Sequence, residues 1–245
     1  MSSITPALVI ACRELEKAMK GTLEGTKLQE IQDAINGFAI ASAVACFFSG
    51  IVPGAAGIVA MLAQAGFVWA TYLSINKILG LSFSENVIKT IASAILTNLV
   101  VNAGSLLLAG AASTVLSFIP VFGSAIAAAI NCTMGYIVIF VAAILYLKLI
   151  TKMAQDDGTI VLDETDSTKD TIKNVVKDAD LGSLIAEGKD AYKKAKADGS
   201  IEAAKKNPKC PVCGTTYKPG QKFCNECGTQ LKESLNPARY EIIIR

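Results

Sequence analysis

Cys210-Pro-Val-Cys213-Gly and Cys224-Asn-Glu-Cys227-Gly form the spacing C-x2-C-x10-C-x2-C. Two thiolates two residues apart fit a single knuckle turn, and two knuckles supply four sulfurs at the corners of a tetrahedron, the arrangement that suits structural zinc. Gly214 and Gly228 follow the knuckles and let the backbone fold beneath the metal, with Tyr217 and Phe223 available to cover it. Four protein ligands leave no open position, so the spacing predicts a structural ion and not a catalytic one. In so small a module the metal replaces a hydrophobic core, and its binding is worth on the order of 10 kcal/mol of folding free energy. Paired disulfides or an iron–sulfur centre are the competing uses of four cysteines.

Little else in the chain points to chemistry. There is no histidine, which removes the commonest general base and every imidazole metal site. Asp163, Glu164 and Asp166 are the nearest thing to a carboxylate cluster, and their surroundings read as a solvated, charge-balanced segment. The chain is therefore expected not to be an enzyme. Lys205, Lys206, Lys209, Lys218, Lys222 and Lys232 surround the cysteine motif, but Glu226 and Glu233 dilute them and the net charge of the whole chain is only +2. That balance points to protein docking and away from nucleic acid.

The cysteine motif sits at the end of an unusually apolar chain. Hydrophobic residues make up 52% and charged residues 18%, against about 25% charge in an ordinary soluble domain. Residues 34–76 and 90–147 carry no charge at all, while more than half of the charged residues fall within 151–209. Each uncharged block is long enough for a pair of helices that cross a bilayer of about 30 Å. Pro53-Gly54 divides the first block into Gly37–Val52 and Ala55–Leu79. Pro120 and Gly123 divide the second into Val87–Ile119 and Ser124–Ile150. These residues are the expected hairpin tips, because proline removes a backbone donor and glycine permits a tight reversal. A soluble helix needs a charged wet face, and four consecutive helices without one are expected in lipid.

Within the second block, Ser93, Thr97, Asn98, Asn102 and Ser105 recur at spacings of three and four that share one helix face. Such a stripe predicts interhelical hydrogen bonding in a bundle or homo-oligomer, or else the lining of a water-filled pore. Cys12, Cys46 and Cys132 lie among apolar residues and read as small hydrophobes.

The basic residues set a topology. Arg13, Lys17, Lys20 and Lys27 precede the first hairpin, Lys77 and Lys89 lie between the two, and Lys148 and Lys152 follow the second. The uncharged tips then point across the membrane, and both termini and the zinc module face the cytoplasm, whose reducing environment keeps thiols available for metal. The expected fold is mainly α, with four parts. Residues 1–33 form an amphipathic segment carrying Leu8, Cys12, Leu15 and Met19 on one face. Residues 34–153 form a membrane-embedded domain of about four apolar helices. Residues 154–207 form a charged helical stalk with breaks at Gly182, Gly188 and Gly199. Residues 208–245 form a small β zinc ribbon with a strand-like tail.

The stretch from Ile51 to Met153 resembles the DUF697 family, bacterial membrane domains found beside or fused to small GTPases. The resemblance rests on Pro53-Gly54, Gln64-Ala-Gly, Tyr72-Leu-Ser-Ile-Asn-Lys-Ile-Leu-Gly-Leu-Ser-Phe-Ser, Phe118-Ile-Pro-Val-Phe-Gly-Ser-Ala-Ile-Ala-Ala-Ala-Ile-Asn and Gly135-Tyr136. It implies a membrane-embedded helical domain. No G-x-x-x-x-G-K-[ST] occurs in the chain, so any GTPase would be a separate partner. Residues 209–231 separately resemble the zinc-ribbon module of prokaryotic membrane proteins. The expected function is a non-enzymatic inner-membrane scaffold or adaptor that self-associates through its hairpins and presents a zinc ribbon to a cytoplasmic partner such as a GTPase. An oligomeric pore lined by the Ser/Thr/Asn stripe, and a soluble homo-oligomeric shell or ring with apolar helices buried between subunits, are the alternatives.

Overall fold

The computed structural model describes residues 5–21, 25–49, 56–116, 124–162 and 165–206, and, in the C-terminal segment, 210, 215–216 and 224–226. The described chain is mainly helical: α1 (Pro6–Ala18), α2 (Gly25–Ser49), α3 (Ala56–Leu79), α4 (Glu85–Leu116), α5 (Ser124–Lys152), α6 (Asp166–Asp178), α7 (Leu181–Ala197) and α8 (Ser200–Lys206). Among the described residues there is no strand; an isolated antiparallel bridge joins Ala154 and Ile160, and Thr216 carries a further bridge. The expected tips Pro53, Gly54, Pro120 and Gly123 and the strand-like tail lie outside the described residues.

The helix limits follow from the sequence signals. Pro6 opens α1, where its missing N–H costs nothing. Leu8, Cys12 and Leu15 bury the face that their spacing marked out. Between α5 and α6 the chain reverses at Asp156-Asp157-Gly158. Gly158 adopts φ +88 against the backbone of Met19, where a Cβ would stand 2.6 Å from the Met19 oxygen. Thr165 caps α6 by accepting from the Thr168 N–H, and Asp180 caps α7 by accepting from Ser183.

Helix α5 is the axis of the fold. It is packed by α1, α2, α3, α4, α6 and α7, and every residue from Tyr136 to Leu147 is buried. A helix that is apolar on all sides belongs either in lipid or in the centre of a protein, and here protein surrounds it. Close approach depends on small residues. A Cβ on Gly135 would stand 2.8 Å from Cys46 Sγ and 3.0 Å from the Ser42 carbonyl oxygen of α2. Buried hydroxyls find partners across the bundle: Tyr72 donates to the Ala142 carbonyl at 3.0 Å, Tyr146 to Asn76 Oδ1 at 2.7 Å and Tyr136 to Asn36 Oδ1 at 2.6 Å. The Tyr72 and Tyr146 rings stack with centroids 4.0 Å apart.

The segment expected to be a stalk instead lies along the apolar helices. Helix α6 packs on α4 and α5, α7 packs on both as well, and α8 packs on α2. Ile172, Val175 and Val176 of α6 and Leu184, Ile185 and Tyr192 of α7 are buried. Each such side chain contributes roughly 1.5–3 kcal/mol when fully buried. The exposed Lys169–Asp166, Lys173–Asp170 and Lys193–Asp190 pairs contribute at most about 1 kcal/mol each. Apolar burial therefore decides where these helices lie, and their charges decorate the outside. Gly188 does not break the helix. It sits inside α7, where a Cβ would come within 3.2 Å of the Phe140 ring.

Candidate metal centre and the outward face of α4

Cys210 and Cys224 are both buried, and they form a small cluster of their own, separate from the main core. The Cys210 N–H donates to the Thr215 carbonyl at 2.8 Å. Asn225 and Glu226 turn the chain immediately after Cys224. Neither Cys210 nor Cys224 forms a disulfide. Two unbridged thiols, packed together and shielded from water, are half of the four-sulfur donor set that a structural zinc takes. Their partners Cys213 and Cys227, and the covering Tyr217 and Phe223, lie outside the described residues. The described half thus fits the ion: Cys210 and Cys224 would hold it from two sides, with Cys213 and Cys227 completing the set by spacing. The zinc would serve as a cross-link.

The other three cysteines are buried and unbridged. Burial pushes the Cys12 thiol up to about 12, with the charge of Glu16 adding to the effect. A thiol so disfavoured as thiolate is an inert packing group.

The polar stripe holds together on α4. Ser93, Thr97, Asn102 and Ser105 are exposed and Asn98 is half-buried, all on the outward side. Asn98 Nδ2 donates to the Ala94 carbonyl at 2.8 Å and Asn102 Nδ2 to the Asn98 carbonyl at 2.7 Å. Lys89, Thr90, Ser93, Ala94, Thr97 and Asn98 line a shallow open groove and no enclosed channel. At its end, Lys89 stands 4.7 Å from the centroid of the Trp69 ring.

Two described helices are long and apolar enough to cross a membrane, Glu85–Val115 within α4 and Ala128–Lys152 within α5, but they differ in what covers them. The apolar window of α5 is 78% buried inside the protein and that of α4 only 33%. Val101 is 77% exposed, Leu108 56% and Leu106 51%.

The polar helices accompany α5 along its length. Lys152 pairs with Asp178 at 3.3 Å. Further along, Gly188 meets Phe140 and Ile137, Tyr192 meets Tyr136 and Cys132, and Lys205 of α8 lies 4.1 Å from the Phe47 ring centroid near the end of α2. From Lys152 to Cys132 is about 30 Å of helix, a full hydrocarbon thickness. Were α5 to cross a bilayer in this packing, Lys189 and Lys193 would accompany it into the hydrocarbon at about 2.5–3.5 kcal/mol each. The sidedness expected from the lysines, with all charge beyond one end of the hairpins, does not describe this arrangement. Helix α8 thus lies beside the C-terminal part of α2.

Spacing alone did not reveal one contact of consequence. Glu187 of α7 accepts the Ala7 N–H at 2.9 Å and so caps α1 from another helix, while Thr5 makes no side-chain cap of its own.

Comparison with known families matches a zinc-ribbon domain to residues 209–231. No curated protein and no solved structure matches the chain. No match to the DUF697 family accompanies the zinc ribbon, and that resemblance rests on the quoted residues alone.

Proposed function

We propose that the chain is a non-enzymatic adaptor, a helical platform that attaches to a membrane and holds a structural zinc ribbon for a cytoplasmic protein partner. The observation that carries the reading is the segregation of charge around α5. On one side, α1, α6, α7 and α8 present Lys, Asp and Glu outward. On the other, α2 beyond Asp33, α3 before Lys77 and α4 beyond Lys89 carry none. Phe38 and Ile40 of α2 and Trp69 and Leu73 of α3 are only partly buried. An uncharged side of this extent marks an interaction surface, and with polar helices opposite it the bundle is suited to lying on a bilayer through α2 and α3. The two uncharged tip sequences extend the same character. Attachment of this kind replaces the four-helix crossing as the preferred mode, because the polar jacket cannot follow α5 into hydrocarbon at acceptable cost.

A closed four-sulfur site has no position for substrate, which supports a docking role for the ribbon. A separate GTPase is the partner class that the DUF697 resemblance suggests.

Flotation tests the attachment. The full-length, zinc-loaded chain, mixed with vesicles of phosphatidylcholine and phosphatidylglycerol and centrifuged through a density gradient, is expected to rise with the lipid. A chain that stays in the dense fractions as a discrete particle without detergent would replace this reading with the soluble shell or ring.

A further inference from the structure

We propose that the outward strip of α4 is a seam between two copies of this chain. The strip consists of Ala94, Thr97, Val101, Ser105, Leu108 and Ala112, in which the steps run three, four, four, three and four residues. Positions eleven apart recur along it: Ala94 with Ser105, Thr97 with Leu108, Val101 with Ala112. Such a period follows a nearly straight helix and favours right-handed pairing. Small side chains at Ala94, Ser105 and Ala112 let a second helix approach closely.

Three observations select a second copy as the occupant. First, water does not suit the strip, because Val101 and Leu108 are 77% and 56% exposed. Second, hydrocarbon does not suit it either. Asn98 and Asn102 flank the strip and each spends one N–H on its own helix, which leaves their Oδ1 acceptors and second N–H groups without a partner among the described residues. Lipid tails offer these groups nothing. Third, the strip is complementary to itself. Hydroxyls and amides both donate and accept, and no charge occurs on α4 from Thr90 to Leu116, so two identical strips meet without like-charge repulsion. An isologous pair needs that self-complementarity. Residues 94–112 extend over about 27 Å, so a pair buries on the order of 1,000 Å² in total, the low end for a specific interface. The dimer is accordingly weak and dependent on concentration. It does not rest on the membrane reading, since it forms on the platform whether or not lipid covers the neighbouring α2–α3 side.

Sedimentation of the full-length, zinc-loaded protein in a density-matched non-ionic detergent across the micromolar range is expected to show a monomer–dimer equilibrium. Val101→Glu is expected to weaken it more than about tenfold, because it sets two like charges facing each other in a desolvated seam. Val101 is too exposed for the change to unfold the helix. Val161→Glu, at another exposed valine between α5 and α6, is expected to leave the equilibrium unchanged, and both variants are expected to float with vesicles as before. A wild-type chain that stays monomeric throughout the range overturns the seam. So does a Val101→Glu dimer of undiminished strength. Loss of flotation in Val101→Glu without any prior dimer would assign the strip to lipid and overturn the seam while sparing the attachment.

Discussion

The Cys210→Ser protein is expected to leave purification without zinc, and the parent chain with one ion per molecule. The reason lies in the size of the module. Residues 209–231 match a zinc-ribbon domain, and 23 residues bury too little surface to hold a fold without a cross-link. The metal supplies folding free energy on the order of 10 kcal/mol, and a hydroxyl in place of one thiolate removes most of it. The loss is confined to the ribbon. Helix α8 ends at Lys206 and is tied to α2 and α7, so the far-ultraviolet circular dichroism of the helices is expected to stay within a few per cent while the ribbon becomes a site of rapid proteolysis. Cys12→Ser, at a buried packing position, is expected to keep its zinc. Metal analysis of the two variants together checks this. Iron with a visible absorption band in the parent chain would give the four sulfurs to a cluster.

Phe140→Ala is expected to cost about 3–5 kcal/mol and to lower the melting temperature by roughly 10 °C for a chain of this length. Phe140 is buried to 1% exposure in the middle of α5, and its ring lies where a Cβ on Gly188 of α7 would come within 3.2 Å. Removing the ring leaves a cavity between two helices, and α7 cannot collapse into it while Tyr192 holds the next turn against Tyr136. The magnitude separates two pictures of α5. A phenylalanine that faces lipid exchanges ring–lipid contacts for methyl–lipid contacts at small cost, because no cavity forms in a fluid. A phenylalanine locked in protein pays the full cavity penalty. Thermal unfolding in mild detergent, followed at the helical signal, decides between them. A shift of only a degree or two would return α5 to the bilayer.

The reach of the sequence can be judged residue by residue. The amphipathic α1 was visible because Leu8, Cys12 and Leu15 repeat with helical spacing, and the apolar helices were visible because Pro and Gly punctuate them. The cysteine spacing announced the ribbon. The stalk was misread because its charges were counted before its apolar face. Ile172, Val175 and Val176, then Leu181, Leu184, Ile185, Gly188, Tyr192 and Ala195, recur at three, four and seven, a stripe that demands a partner. Gly188 in particular looked like a helix breaker, whereas its missing side chain makes room for Phe140. That distinction depends on what stands opposite, which a single chain of letters does not state. The same holds for Tyr72, Asn76, Tyr136 and Tyr146. Polar groups in uncharged helices signal that partners exist, but the pairing of Tyr146 with Asn76, seventy positions apart, is a property of the packing. The stripe on α4 shares one face by its spacing, and its outward direction comes from the burial of the other faces, which the spacing does not state.

The charged helices α6 and α7 lie against α5 and do not stand away from it. Gly110 of α4 and Ile185 of α7 test it directly, because a Cβ on Gly110 would lie 3.1 Å from Ile185 Cγ2, a separation compatible with a disulfide between cysteines at the two positions. In the zinc-loaded Gly110→Cys, Ile185→Cys protein, oxidation by dissolved oxygen followed by peptide mapping is expected to yield a single linked peptide joining the two positions, in detergent and on vesicles alike. If both new thiols stay free and react fully with a maleimide under those conditions, α7 does not lie on α4, and the enclosed-core account is wrong.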